Sequence, residues 1–218
     1  EIYDTAKQTV IDSFKVECKI KRGAEGAGKL GFNISVLLAK HGITASVPGE
    51  KPVYIPSSEK AYTYYSLGLD FLNKDMRVSH EYFRKAASAD PEYIDAIIYT
   101  ADTACELTLY DTALDFLSNG EKILNRINGK YSIQYARLMR LRGWVYAKMD
   151  RYPAAIDSYN ASLNVLKYMK RDKSCEYAES VCGLAYVYRK TGEFAKSSEG
   201  YTDSMRILDE QGMKSSLQ

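Results

Sequence analysis

Along residues 61–73 the positions Tyr64, Leu67, Gly68 and Phe71 recur at steps of three and four, which places them on one face of a helix. A polar turn, Asn73-Lys74-Asp75, follows, and a second helix then carries Phe83 and Ala86 before Pro91. The arrangement returns around Gly143-Trp144-Val145-Tyr146, with the turn Met149-Asp150-Arg151 and then Tyr152, Ala155 and Tyr159. A later copy holds Leu184, Ala185 and Tyr188, the turn Lys190-Thr191-Gly192-Glu193, and Phe194 and Tyr201; a copy in between holds Ala101, Ala104, Leu107, Tyr110, Ala113 and Leu117. The corresponding small residues Gly68, Ala101, Gly143 and Ala185 lie 33, 42 and 42 residues apart. Turns this short join antiparallel helices, and a period of this size with small residues at helix crossings predicts stacked helical hairpins. One hairpin alone would leave a face uncovered. The longer repeats carry their additional residues in 162–173 and 204–213, which predicts protruding second helices.

The first fifty-odd residues differ in kind. Residues 1–13 read as a helix with Ile2, Ala6, Val10 and Ile11 on one face, and 14–21 alternate apolar and polar with period two, as an amphipathic strand does. Residues 30–39 read as a strand by the alternation of Phe32, Ile34, Val36 and Leu38, with a helix ending at Gly42 as the alternative; 43–47 would be a third strand. Pro48, Gly49, Pro52 and Pro56 form an extended linker, and Ser57 is suited to cap the helix after it. The expected domains are therefore 1–56, a helix with a small β segment and linker, and 57–218, the helical repeats.

A chain of 218 residues with 45% hydrophobic content can bury a substantial core. Its formal charge of +2 argues against general nucleic-acid binding, which needs a strongly basic face. Charge is uneven, however: within 121–151 stand Lys122, Arg126, Lys130, Arg137, Arg140, Arg142, Lys148 and Arg151 against Glu121 and Asp150, which reads either as a solvated helix face or as a surface for an acidic partner. No apolar run approaches the ~20 residues that cross a bilayer. The chain starts with Glu1 rather than Met, so a removed signal peptide or anchor stays open. Cys175 and Cys182, seven apart on one helix, are separated by roughly 10 Å along its axis, too far for a disulfide. With Cys18 and Cys105 elsewhere, the pattern is that of free thiols, favouring a reducing cytoplasm or an exported protein independent of disulfides.

Signals for catalysis are thin. Residues 23–29 match the phosphate-binding pattern Gly-x-x-x-x-Gly-Lys, but Leu30 stands where a magnesium-binding hydroxyl is required. Ser57-x-x-Lys60 has the spacing of a serine–lysine pair without its companion motifs. Neither His41 nor His80 has metal-ligand spacing around it; His80 is expected on an exposed helix face. The expectation is a non-enzyme with no catalytic residue, cofactor or metal, and a nucleotide-dependent enzyme is the last alternative.

The pattern Leu67-Gly68-x-x-Phe71, Gly143-x-x-Tyr146, Ala155 and Tyr159, with Pro91 closing the first unit, resembles the tetratricopeptide repeat (TPR) family over residues 59–212. Arg142 and Gly120 depart from it: Arg142 stands where an apolar residue is usual, and Gly120 replaces an alanine of the second helix. The resemblance implies a mostly α fold, a right-handed α-solenoid of TPR helical hairpins, here behind a small N-terminal β-containing segment. It further implies that first helices line a concave groove, through Tyr62, Tyr65, Leu69, Asp95, Asp102, Glu106, Arg137, Arg140, Trp144, Lys148, Cys182, Tyr186 and Arg189. Of these, Arg137, Arg140, Trp144, Tyr65 and Tyr186 are the preferred contacts, because aromatic and arginine residues dominate interface energetics; about half the aromatics are instead available for packing between repeats. The family's clamp for a terminal carboxylate is not kept, since Tyr65 and Leu69 occupy two of its positions. The expected role is an adaptor or scaffold that binds a peptide or helix of a partner protein. A subunit of a larger assembly, such as a secretion, pilus or motility complex, and a regulatory domain of a longer signalling protein are the alternatives. Met205, Ile207 and Leu208 on the last helix either pack back or form a homodimer face.

Overall fold

The computed structural model describes residues 2–4, 9–12, 56–127 and 129–211. Among them eight α-helices follow in pairs: α1 (Glu59–Phe71) with α2 (Met76–Ala89), α3 (Ile94–Glu106) with α4 (Tyr110–Arg126), α5 (Ile133–Lys148) with α6 (Tyr152–Tyr168), and α7 (Cys175–Lys190) with α8 (Phe194–Glu210). A 3-10 turn at Gly129–Tyr131 precedes α5. The chain falls into two compact units, Glu1–Thr103 and Ala104–Gln218.

Helices start in two ways. Ahead of α1, α5 and α7 stand Ser58, Ser132 and Ser174, whose hydroxyl oxygens accept from the backbone N–H of Ala61, Tyr135 and Tyr177 at 3.3, 3.2 and 3.3 Å. Each bond satisfies a donor that a helix N-terminus leaves orphaned. The cap of α1 is thus one residue later than the expected Ser57. That serine instead donates from its backbone N–H and its hydroxyl to Asp90 Oδ2, at 2.7 and 2.9 Å, and so fastens the entry of α1 to the residue that ends α2.

The second helices α4, α6 and α8 have no side-chain cap. Each is entered through a three-residue turn whose middle residue is left-handed: Thr108 at φ 63°, Asp150 at 56° and Gly192 at 85°. The residue after it reaches back to the preceding helix, Leu109 N–H to Ala104 O at 2.8 Å, Arg151 to Tyr146 at 2.9 Å and Glu193 to Tyr188 at 2.8 Å. This is the Schellman closure, which satisfies the last carbonyls of the first helix while reversing the chain. The turns at 149–151 and around Gly192 therefore lie where the polar clusters put them, while the turn at 107–109, which was not among the expected turns, closes in the same way; of the three only one contains glycine.

The additional length of the later repeats is not confined to the ends of their second helices. α1 and α3 have 13 residues and α5 and α7 have 16, while α2 has 14 and α4, α6 and α8 have 17. Relative to the first repeat, both helices of the last two repeats are three residues longer, while in the second repeat only α4 is.

In the first unit, Phe83 of α2 is fully buried and fits against Gly68 of α1, where an added Cβ would come within 2.6 Å of the ring. Ala61, Ala86, Ile94, Ile97 and Ala101 complete the interior. His80 is buried too, contrary to the expected exposure, because it lies on the same flank of α2 as Ser79 and Phe83. Its Nδ1 is 3.0 Å from Thr103 Oγ1, whose own hydroxyl donates to the carbonyl of Tyr99 at 2.8 Å. With the Thr103 proton directed at the Tyr99 carbonyl, Nδ1 carries its own hydrogen toward Thr103 Oγ1. Burial, the largest influence, pulls its pKa below the ordinary value.

At the N-terminus, β1 (Ile2–Asp4) pairs antiparallel with β2 (Thr9–Asp12), Tyr3 opposite Val10 and Asp4 opposite Thr9. This replaces the helix expected over residues 1–13. Thr5, Thr9, Val10 and Ile11 are β-branched and favour extended backbone, and an isolated helix of that length is marginal. The strands and glycine-rich loop expected in 14–47 lie outside the described residues, as do His41 and Cys18.

In the second unit the buried ring of Tyr159 takes the place that Phe83 holds in the first. Its neighbours Ala147, Ala155 and Val187 are buried, and Tyr146, Tyr152, Ile156, Leu184 and Tyr186 pack around them. Two buried serines bond across helix crossings: Ser162 Oγ of α6 donates to Ala136 O of α5 at 2.8 Å, and Ser204 Oγ of α8 to Ala178 O of α7 at 2.9 Å. On the last helix Ile207 packs inward and Met205 is 61% exposed.

Candidate functional site: the face of α5 and α7

The candidate contact residues fall into two groups. Tyr62, Tyr65 and Leu69 on α1 and Asp95 and Asp102 on α3 belong to the first unit. Tyr65 is the centre of an aromatic cluster, with ring centroids 5.6 Å from Phe83, 5.1 Å from Tyr93, 5.6 Å from Tyr99 and 6.5 Å from Tyr62. Phe83 and Tyr93 are buried in this cluster, and Tyr62, Tyr65 and Tyr99 are half-buried against them. Burial above all, then the neighbouring Tyr65, pushes the Tyr93 phenol well above its ordinary pKa, so it stays a neutral interior group. Leu69 is 40% exposed, and Asp95 and Asp102 are half-buried.

In the second unit, Arg137, Arg140, Trp144 and Lys148 follow one another along α5 at steps of three and four, which makes a stripe down one side of the helix. A facing stripe on α7 comprises Glu176, Glu179, Tyr186 and Arg189. At one end the stripes meet through charge. Arg137 donates to Glu176 Oε1 at 3.4 Å, Arg171 lies 4.0 Å from the other oxygen of Glu176, and Arg140 Nε is 3.2 Å from Glu179 Oε2 without the alignment of a hydrogen bond. Burial raises the pKa of Glu176, but its own backbone N–H, the Ser174 hydroxyl, Arg137 and Arg171 together outweigh burial and hold it below the ordinary value.

The other end is aromatic. Trp144 and Tyr186 meet edge to face at 5.6 Å between centroids, and Trp144 Nε1 donates to Glu106 Oε1 at 3.4 Å. Lys148 Nζ stands 4.4 Å from the centre of the Trp144 ring, while Arg189 and Lys190 lie 5.5 and 5.6 Å from that of Tyr186. Cations on ring faces gain roughly 0.5–1 kcal/mol each at exposed sites, enough to order them beside the rings without neutralising them. Lys148, Arg189 and Lys190 remain exposed.

The arginine-rich stretch around residue 140 is therefore largely compensated within the unit, and the expected basic third repeat is reduced to the Trp144 end. Arg142 leaves the stripe altogether and pairs with Glu121 at 2.7 Å, mostly buried, and Tyr135 donates to the same carboxylate at 3.3 Å. This accounts for its presence at a position where the resemblance leads one to expect an apolar side chain. Glu176 and Glu179 were not among the expected site residues. The sequence does contain a signal for them, because Arg137 to Glu176 and Arg140 to Glu179 share the same spacing of 39 residues, one helical turn short of the repeat. Among the described residues no group of histidine, cysteine or carboxylate side chains is arranged to hold a metal ion, and no helix is long and apolar enough to cross a membrane.

Comparison with known proteins agrees with the repeat reading. Residues 96–167 match the tetratricopeptide repeat family. No curated protein sequence matches the chain. Among solved structures the fold is similar to MamA (13% identity, TM-score 0.55, covering 91% of this chain and 100% of that one) and to BtubC from P. vanneervenii (14% identity, TM-score 0.63, 89% and 85%). It is also similar to a Rap protein solved in complex with Competence and Sporulation Factor (11% identity, TM-score 0.66), where 90% of this chain covers 57% of that one. The fold class is an α-solenoid of helical hairpins.

Proposed function

We propose that this tetratricopeptide repeat protein is a non-enzymatic interaction module that takes a peptide or helical segment of a partner protein on the α5–α7 face. The observation that carries the reading is the cluster at one end of the two charged stripes, where the half-buried rings of Trp144 and Tyr186 lie among the exposed cations Lys148, Arg189 and Lys190. Two rings held at a fixed angle offer apolar contact at little cost in side-chain freedom, and cations beside them favour a segment that combines acidic with apolar side chains. Arg137 and Arg140 extend this contact by exchanging Glu176 and Glu179 for partner carboxylates. The helices are ordered before binding, so most of the ordering cost falls on the partner. The Rap neighbour, solved with a bound factor, supports an interaction role for such a scaffold.

The test is affinity capture from the native source with the wild type and with Arg137→Glu/Arg140→Glu/Trp144→Ala, both checked for folding by circular dichroism. Loss of a partner from the folded variant, together with weakening of the wild-type complex by salt, supports the reading. A partner kept equally by both moves the interface elsewhere and favours a structural subunit of a larger assembly.

A further inference from the structure

We infer that the first repeat carries an anion-binding cleft between α1 and α2, suited to a phosphoryl group. The cleft has a volume of about 360 Å³ and is lined by Lys60 and Tyr64 from α1 and by Arg84, Lys85 and Ser88 from α2, with Ala89 at its edge. This is the size range of small-ligand sites. Three of the lining side chains are cationic and none is a carboxylate.

The two lysines differ from the arginines of α5. Whereas Arg137, Arg140 and Arg142 each have a carboxylate partner, no described carboxylate lies within ion-pairing distance of Lys60 or Lys85. Instead Lys60 Nζ rests 5.8 Å from the centre of the Tyr64 ring and Lys85 Nζ 5.3 Å from that of Tyr82. Arg84 holds Glu81 at 2.9 Å on the exposed surface of α2. Glu81, paired with Arg84 and also attracted by Lys85, offsets part of this charge, and an anion seated in the cleft relieves the repulsion that is left.

The chemistry selects among anions. A lone carboxylate is matched best by the planar fork of an arginine, and the only arginine here is already engaged with Glu81. Lysine ammonium groups act as point charges with rotatable donors, which suits the several oxygens and the near-double charge of a phosphoryl group. The Ser88 hydroxyl donates to Arg84 O at 2.8 Å and so offers only its lone pairs. This cleft lies in the first unit and owes nothing to the reading of the α5–α7 face.

The 218-residue chain is titrated with inorganic phosphate, O-phosphoserine and a phosphoserine peptide at constant ionic strength, with acetate as control, and the lysine side chains are followed by NMR. The expected result is saturable binding of the phosphoryl compounds with shifts at Lys60 and Lys85, about tenfold weaker or more in Lys60→Gln/Lys85→Gln and unchanged in Lys122→Gln. Tighter binding of the peptide than of O-phosphoserine identifies a phosphorylated protein as the source; equal binding identifies a small phosphorylated molecule. Acetate binding as well as phosphate, a non-saturable response, or an affinity unmoved by the double substitution in a folded variant overturns the inference.

Discussion

Tyr159 is clasped between two glycines: a Cβ built at Gly143 would lie 3.0 Å from the ring, and one at Gly183 would lie 2.4 to 2.7 Å from its other edge and hydroxyl. Gly143 belongs to the same hairpin as Tyr159 and Gly183 to the first helix of the next. A single buried ring thus sets the approach of α6 to both α5 and α7.

The two glycines make different predictions. Glycine in a helix interior is worse than alanine by about 0.5–1 kcal/mol, so Gly143→Ala, where a shift of a few tenths of an ångström suffices, should come out near neutral. Gly183→Ala must displace a ring that has nowhere to go and should cost about 1–3 kcal/mol. Urea denaturation of the two variants checks this; equal midpoints would show that the ring does not set the spacing.

The left-handed turns predict a gain. Thr108 is a β-branched residue at φ 63° in the same turn that Gly192 occupies at 85°. Thr108→Gly relieves that strain and should stabilise the chain by about 1 kcal/mol, while Gly192→Thr should destabilise it by a similar amount. Thermal unfolding would expose an error in the first if its midpoint fell.

Tyr65 and Trp144, both candidate contacts at the level of sequence, should separate by effect. Tyr65→Ala removes the centre of the ring cluster formed with Phe83, Tyr93 and Tyr99 and should cost about 2–4 kcal/mol of stability. Trp144→Ala should cost less stability and more partner binding. Equal losses of stability would place Trp144 among the packing residues.

His80 predicts a pH dependence of stability. Its native pKa is depressed below 6.5, mainly by burial, so between that value and 6.5 the unfolded chain binds more protons than the folded one. The contribution is complete above pH 6.5 and is lost as pH falls through the native pKa. Glu81 and the backbone bond to Thr100 raise the ring's pKa and limit the effect, whereas Arg84 lowers it and adds to the effect. Urea midpoints compared between about pH 7.5 and 5.5 should fall more for the wild type than for His80→Gln; parallel slopes would remove His80 as the cause.

Periodicity determined the paired helices of the repeats and the turns at 73–75, 149–151 and 190–193, since spacing of apolar positions and the small residues at Gly68 and Gly143 depend only on how a helix repeats; it misread residues 1–13 as a helix and named no turn at 107–109. Arg137, Arg140, Trp144 and Lys148 were singled out by the resemblance to the family, not by the periodicity. Tertiary structure decided what those side chains do. Pairing of Arg137 with Glu176 and of Arg142 with Glu121 joins residues 39 and 21 positions apart, and only the packed hairpins bring their charges within reach. The fate of Tyr65 and His80 was likewise set by neighbours on other helices, because a single helix has the same period whether a residue faces solvent, a ring cluster or a threonine hydroxyl.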